Sequence, residues 1–159
     1  MNNGYGPEEV RMILRFAALG ILLAGAVVAD DDASRAKLMG SWELTDAGKD
    51  PQIWTFQAKD AKGDVIHVTN VAAQKTLMEF DCDSFGHDCV VKDNGKTAKV
   101  SLYYNGPKLI QMETRGPLIC KRAFVITGEG DTMELVWEIF APSAKTETLH
   151  FKRVSSAAH

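Results

Sequence analysis

The sequence lacks most of the motifs that would assign a chemistry directly. It contains no G-x-S-x-G elbow, no H-E-x-x-H helix, no phosphate-binding loop and no dinucleotide-binding fingerprint. It also has only 3 cysteines and 5 prolines. Its 18 basic residues are scattered among 21 acidic ones, so no basic cluster favours nucleic-acid binding. These absences argue against the common enzyme classes, against a cofactor and against a nucleic-acid partner.

The composition that remains is typical of one globular domain. The chain has 159 residues, of which 45% are hydrophobic and 25% are charged, with a formal net charge of -3. This balance differs from that of disordered chains, which are poor in apolar residues. The length suits a single domain better than two.

One uninterrupted apolar segment stands near the N-terminus. Residues 16–28 carry no charge, follow Arg11 and Arg15, and precede Ala29. A membrane span needs about twenty apolar residues, so the segment is typical of an export signal cleaved after Ala29. A retained N-terminal anchor is the alternative. We therefore predict a secreted or periplasmic protein without a stable membrane anchor, divided into a signal peptide (1–29), an N-terminal segment (30–39), a barrel (40–154) and a tail (155–159).

Short alternating segments fill the rest of the chain. Residues 97–104 have apolar or aromatic side chains at even positions and polar ones at odd positions through Ser101, and residues 133–139 and 149–153 alternate similarly. Such alternation predicts strands with one buried face. Turn-forming residues separate the segments at 46–48, 62–64, 93–96, 105–107, 115–117, 128–131 and 141–143.

This pattern predicts an all-β fold. Nine or ten strands joined by tight turns form an antiparallel meander, and closing the meander removes its exposed edges. We expect a barrel of 8–10 strands, with a two-sheet sandwich as the alternative. A short helical turn is expected at residues 34–39, with Ser34 as its N-cap.

The start of the first predicted strand carries a family resemblance. Gly40 and Trp42, directly after the helical turn, resemble the Gly-x-Trp motif of lipocalins and of the wider calycin group. Over residues 34–154 the chain is most similar to small bacterial secreted lipocalin-like domains. The resemblance implies that Trp42 plugs the closed end of the barrel and that an arginine lies across it. Arg153 matches that arginine by position, with Arg122 as the competing candidate.

The cysteines agree with export. Cys82 and Cys89 flank a turn, and in an oxidising compartment they are expected to form a local disulfide. Two free thiols are an alternative, and a metal site is another, although six intervening residues do not match the usual zinc spacing. Cys120 has the parity of Phe124, which indicates a buried thiol. We predict no metal site.

The inward parity of the strands indicates a function. An apolar face with a few polar groups is what a pocket for a hydrophobic or amphipathic ligand requires. Arg122 and Tyr104 are expected to hold an anionic head group. The predicted ligand-binding residues are Tyr104, Met112, Arg122, Phe124, Trp137 and His67.

Two other functions stay open from the sequence. The barrel interior is filled completely in the first alternative, and the protein is then a structural or interaction module. Val136 and Phe140 would in that case contribute to a homodimer. In the second alternative the protein is a small enzyme with its site near His67 and the Cys82 to Cys89 hairpin. No catalytic residue is assigned.

Overall fold

The computed structural model describes residues 26–46, 48, 51–93 and 96–154. Most of the predicted signal segment and the predicted tail lie outside these residues. Among the described residues, no helix is long and apolar enough to span a membrane. The described elements are α1 (Ala26–Leu38), β1 (Gly40–Leu44), β2 (Gln52–Ala58), β3 (Val65–Ala72), β4 (Lys75–Asp83), β5 (Cys89–Asp93), β6 (Lys96–Asn105), β7 (Lys108–Arg115), β8 (Leu118–Thr127), β9 (Thr132–Ala141) and β10 (Lys145–Arg153).

The strands form one antiparallel sheet that curls into a nearly closed barrel. Their order is β4-β3-β2-β1-β10-β9-β8-β7-β6-β5, so every strand pairs with its neighbours along the chain except that β4 does not pair with β5, and β1 also pairs with β10. The predicted all-β barrel is confirmed. The sandwich alternative is wrong, because all ten strands belong to one sheet.

The helix is longer than the sequence pattern predicts. Helix α1 spans Ala26–Leu38, thirteen residues, whereas we expected only a turn and a half from residue 34. Ser34 therefore lies inside the helix and is not its N-cap. The alanine residues upstream have high helix propensity, which extends the helix toward the N-terminus through the aspartates that precede Ser34.

The two ends of the barrel differ. At the helix end, α1 leads into β1, and large buried side chains fill the interior. At the opposite end, which we call the mouth, the β1–β2, β3–β4, β7–β8 and β9–β10 connections meet. The buried side chains of the interior include Trp42, Phe56, Val68, Val100, Leu102, Phe124, Met133, Leu135 and Phe151.

A single arginine organises the helix end. Arg153 pairs with Trp42 in the β1–β10 ladder, and its guanidinium carbon lies 4.2 Å from the centre of the Trp42 ring. The same guanidinium donates to the carbonyls of Met39 (2.9 Å), Lys37 and Gly130 (3.1 Å). The arginine across the tryptophan is thus Arg153, whereas Arg122 lies near the mouth.

Gly40 makes room for this arginine. A Cβ atom at position 40 would lie 2.7 Å from Nη1 of Arg153, closer than atoms can approach, and the backbone there has a φ of +126°. Both features exclude residues with a side chain. The Gly-x-Trp motif therefore has a local physical basis, since the glycine admits the cation and the tryptophan presents its face to it.

A disulfide joins the two edges of the sheet. β4 and β5 end the strand order, and the bond between Cys82 and Cys89 links them. The segment between these strands also bonds to β6, through a bridge from Phe85 to Tyr103. Among the described residues no group of three or more histidine, cysteine or acidic side chains is arranged for a metal ion. The predicted disulfide is present, and the metal alternative is not supported.

Removing this disulfide is expected to loosen the seam between β4 and β5. For a loop this short, the chain-entropy estimate of the loss is about 2.5 kcal/mol of unfolding free energy. Urea unfolding of the Cys82→Ser/Cys89→Ser variant measures the loss, and hydrogen exchange should rise first in β4 and β5. A reductant should destabilise the wild type equally and leave the variant unchanged. Equal stability of variant and wild type would contradict this role.

Candidate functional site

The mouth of the barrel contains a cleft of about 320 Å³. Small-molecule sites usually measure about 300–1,000 Å³, so the cleft suits a small ligand. Both apolar and hydrogen-bonding side chains line it, from seven of the ten strands. They are Gln52, Trp54, Asn70, Leu77, Met78, Glu113, Arg115, Leu118, Arg122, Leu135, Trp137 and Leu149.

An aromatic cluster forms the floor of the cleft. The ring centres of Trp54 and Phe124 are 5.0 Å apart in an edge-to-face arrangement, and Phe56 lies 5.0 Å from Phe124 in the same geometry. All three side chains are buried. This aromatic floor therefore separates the cleft from the deeper barrel interior. A bound molecule would lie between the floor and the solvent at the mouth.

Two indole groups face each other across an arginine. The guanidinium carbon of Arg122 lies 5.9 Å from the ring centre of Trp54 and 5.2 Å from that of Trp137. The Nε1 atoms of both tryptophans are buried and have no hydrogen-bond partner among the described residues. A buried N–H without a partner is unfavourable, so this pair can donate to a bound molecule.

The charge of Arg122 is neutralised inside the barrel. Its Nη1 lies 2.5 Å from Oε2 of Glu113, whose side chain is only 2% exposed. The Nε of Arg115 donates to the other carboxylate oxygen of Glu113 at 2.9 Å. Each carboxylate oxygen of the buried Glu113 therefore has a guanidinium partner. A ligand that contacted Arg122 would share this cation with Glu113.

Amide side chains supply further polar atoms. The Nε2 of Gln111 donates to Sδ of Met78 at 3.4 Å, while its Oε1 is buried without a partner among the described residues. The Nε2 of Gln52 donates to Oδ1 of Asn70 at 3.2 Å, at the rim of the cleft. The cleft is therefore bordered by these amides and by two guanidinium groups that share the single carboxylate of Glu113, while Gln111 is fully buried beside it.

A second, larger cleft of about 780 Å³ lies at the helix end. It runs between α1 and the 58–64 connection, and Phe85 and Tyr104 line it. The Arg35 guanidinium carbon lies 4.7 Å from the centre of the Tyr104 ring, and its Nε donates to the carbonyl of Gly106 at 3.2 Å. Burial raises the pKa of Tyr104, and the nearby Arg35 charge partly opposes that shift.

Four of the predicted ligand-binding residues have their side chains on the inner face. Arg122 and Trp137 line the mouth cleft, Phe124 belongs to its floor, and Tyr104 lines the helix-end cleft. Arg122 and Tyr104 therefore do not line one cavity, and the expectation that they hold a single anionic head group together is wrong. The buried Leu109 and Phe124 are level with Tyr104 in the strand register, whereas Arg122 lies one inward-facing position closer to the mouth.

The prediction that Met112 faces the interior is wrong. The register of β7 pairs Gln111 with Arg122 and Glu113 with Cys120, which places the odd-numbered side chains of β7 inward. Met112 pairs with Lys121 and Ser101 and so belongs to the outer face. In the sequence, the apolar residues Ile110 and Met112 make the even positions of β7 resemble an inner face, although they belong to the outer one.

His67 also lies outside the barrel, contrary to prediction. The inner face of β3 carries Ile66, Val68 and Asn70, all buried. The Nδ1 of His67 lies 2.5 Å from Oδ1 of Asp81, and its Nε2 lies 3.5 Å from Oε1 of Glu79. Both carboxylates belong to β4, so the His67 ring contacts acidic side chains on the outer surface of the sheet.

Sequence reasoning missed most of the polar lining. It did not assign Trp54, Gln111, Glu113 or Asn70 to the site. A signal for β7 was present: a two-residue turn at Gly106 and the following proline makes Leu109 the partner of Tyr104, and hence inward. For Trp54 and Asn70, assigning the even-numbered residues of β2 and β3 to the inner face would have placed both side chains at the site.

Comparison with solved structures supports the fold assignment. The secretory abundant heat soluble protein 4 from Ramazzottius varieornatus is similar with a TM-score of 0.62 and 17% identity, covering 74% of this chain and 95% of that one. A fatty-acid-binding protein of Schistosoma mansoni in complex with arachidonic acid has a TM-score of 0.62 and 17% identity, covering 77% and 99%.

A third structure, the fatty acid transporter REP1-NXSQ, has a TM-score of 0.60 and 16% identity, covering 75% of this chain and 97% of that one. No protein-family model and no curated protein sequence matches the chain. At these identities the likeness shows the fold alone. The chain thus has the nearly closed antiparallel β-barrel fold of these structures.

Replacing Glu113 by glutamine should destabilise the fold. The substitution leaves Arg122 buried without its counter-charge, which costs about 3 kcal/mol of unfolding free energy. Urea denaturation measures the change, and adding Arg122→Met should recover most of it because the unpaired charge is then removed. Glu134→Gln on the outer face of β9 serves as control and should stay within about 0.5 kcal/mol. If the Glu113→Gln variant is as stable as the wild type, the buried pairing of Glu113 with Arg122 is contradicted.

Alkaline pH should weaken the fold through Tyr104. Because burial raises the pKa of folded Tyr104 above the ordinary tyrosine pKa of 10.0, the folded state retains a proton that the unfolded state releases. The stabilisation is intact below pH 10.0, the ordinary pKa of tyrosine, and is lost as the pH rises through the folded pKa of Tyr104. Urea unfolding across this range should show a steeper loss in wild type than in Tyr104→Phe. An identical pH dependence would contradict the assignment.

Proposed function

We propose that the protein binds a small hydrophobic or amphipathic molecule non-covalently in the mouth of its barrel. One observation carries this proposal. The mouth holds a cleft of about 320 Å³ above the aromatic floor, and this cleft is bordered by Trp54 and Trp137, whose buried N–H groups lack partners among the described residues. Such a cleft of apolar walls and few polar atoms is the usual form of a ligand site.

The similar structures support the same class of ligand. Two of them are named for fatty acids, one as a transporter and one as a complex with arachidonic acid. One is a fatty acid transporter and the other a fatty-acid-binding protein, and neither is named as an enzyme. We therefore favour a binding function over catalysis, and over a barrel whose interior is completely filled.

We further propose that the protein is exported and acts outside the cytoplasm. The apolar segment at residues 16–28 supports this, and so does the disulfide between Cys82 and Cys89, because such bonds persist in oxidising compartments. The division at residue 29, the barrel at 40–154 and the tail at 155–159 stay predictions. So do the similarity to bacterial secreted domains and a homodimer through Val136 and Phe140, of which Phe140 is half exposed.

The test is binding of Nile red, a neutral apolar dye, to protein that has been unfolded, stripped of lipid and refolded. We expect saturable fluorescence enhancement, because the dye would leave water for the apolar cleft. Leu149→Trp, which adds bulk inside the cleft, should weaken binding by at least about tenfold if its extra volume excludes the dye. Native mass spectrometry of the purified protein should in addition show a co-purified small molecule.

Phe140→Ala is the matched control, since its side chain projects outward from β9. It should bind the dye as wild type does. If Leu149→Trp binds normally while Tyr104→Ala does not, the helix-end cleft is the site instead. No dye binding and no co-purified molecule would reject the proposal in favour of an interaction module.

A further inference from the structure

We infer that the mouth cleft encloses only about ten non-hydrogen atoms of its ligand, so that its ligand class is medium-chain amphiphiles and not long-chain ones. This inference rests on the proposed function and specifies the ligand of that same site. It follows from the volume of the cleft and from the side chains that fill the barrel beneath it.

The volume of the cleft limits what it can enclose. The cleft measures about 320 Å³. A water molecule, which is close in size to a methylene group, takes up about 30 Å³ of liquid. About ten non-hydrogen atoms, the size of octanoate, therefore fill the cleft, and the further carbons of a longer chain need space beyond it.

The barrel beneath the cleft offers no such space. Trp54 and Leu135, which line the cleft, are only 1% and 2% exposed. The inward side chains that pack with them in one core cluster and have no solvent-exposed surface at all include Phe56, Val68, Leu102, Phe124 and Phe151. A side chain without exposed surface borders no space that holds even a water molecule, and hence none that holds a methylene group.

The helix-end cleft does not lengthen this space. Its lining side chains, among them Met39 and Tyr104, include none of those that line the mouth cleft. Strand β2 shows the separation, because Trp54 lines the mouth cleft, Ala58 lines the helix-end cleft, and Phe56 between them has no exposed surface. A chain that enters at the mouth therefore stops at this filled level of the barrel.

The test measures how affinity depends on chain length, with hexanoate, octanoate, decanoate, dodecanoate and tetradecanoate at neutral pH, each below its micelle concentration. Two guanidinium groups and one carboxylate border the cleft, so charge does not exclude these ligands. Because the head group is constant, differences in affinity report on the chain. Titration calorimetry measures each affinity directly, since a dye larger than the cleft would be enclosed only in part.

Each methylene group that enters the cleft should tighten binding about fourfold. We expect this gain between hexanoate and octanoate, and a total gain below about threefold between decanoate and tetradecanoate, whose added carbons stay in water. An affinity that keeps rising about fourfold per methylene group through tetradecanoate would overturn the inference while leaving the proposed function intact.

Two variants of β9 locate the limit. Leu135→Ala removes side-chain atoms that border the cleft, so the limit should move by about two carbons toward longer chains. Met133→Ala is the matched control, because this buried side chain lies on the same face of β9, one inward position farther from the mouth. Its void is separate from the cleft, so the limit should stay as in the wild type. Equal shifts in both variants would overturn the assignment of the limit to the bottom of the cleft.

Circular dichroism establishes that each variant is folded. If Leu135→Ala does not fold, Leu149→Trp tests the opposite direction, since its added bulk in the cleft should move the limit toward shorter chains. An unchanged limit in that variant would overturn the inference. Nile red binding without binding of any carboxylate would also overturn this inference alone, whereas failure of the dye and of all five carboxylates would reject the proposed function itself.

Discussion

The pairing of β1 with β10 is the contact on which the barrel depends. It joins the first strand to the last, and without it the ten strands would divide into two sheets, β4-β3-β2-β1 and β10-β9-β8-β7-β6-β5, with two more exposed edges. Arg153 stabilises this pairing by covering Trp42 and by bonding to three carbonyls from α1, its connection and the β8–β9 turn. Gly40 is the residue that permits the approach, so a three-residue motif and one distant arginine form a single unit.

The edges of the barrel at β4 and β5 are joined in a different way from β1 and β10. β4 and β5 end the strand order, and a covalent bond between Cys82 and Cys89 links them. A disulfide restrains two edges without supplying the ladder of hydrogen bonds that β1 and β10 share. The barrel thus has one seam joined by backbone pairing and side-chain packing, and a second seam joined chiefly by a crosslink.

The sequence predicts the positions of the strands better than it predicts which face of each strand points into the barrel. Alternation and glycine-rich turns located most of the ten strands, because both signals are local. The β3–β4 turn was missed since Ala73 and Gln74 adopt positive φ without any residue that favours it. In β7, two faces carry apolar side chains, so alternation was ambiguous, and the inward placement of Glu113 depended on the turn register. Pairings of charges and indoles across the barrel depend on three-dimensional packing and had no local signal.

The polar lining of the mouth is costly for the fold. Phenylalanine at positions 54 and 137 would pack an apolar interior without leaving an N–H unpaired, and an apolar pair could replace Glu113 and Arg122 at little cost. The rest of the interior shows that this chain packs its core with apolar side chains where nothing else is required. Since buried polar atoms without partners are rare in folded proteins, their concentration around the mouth cleft is better explained by ligand binding than by stability.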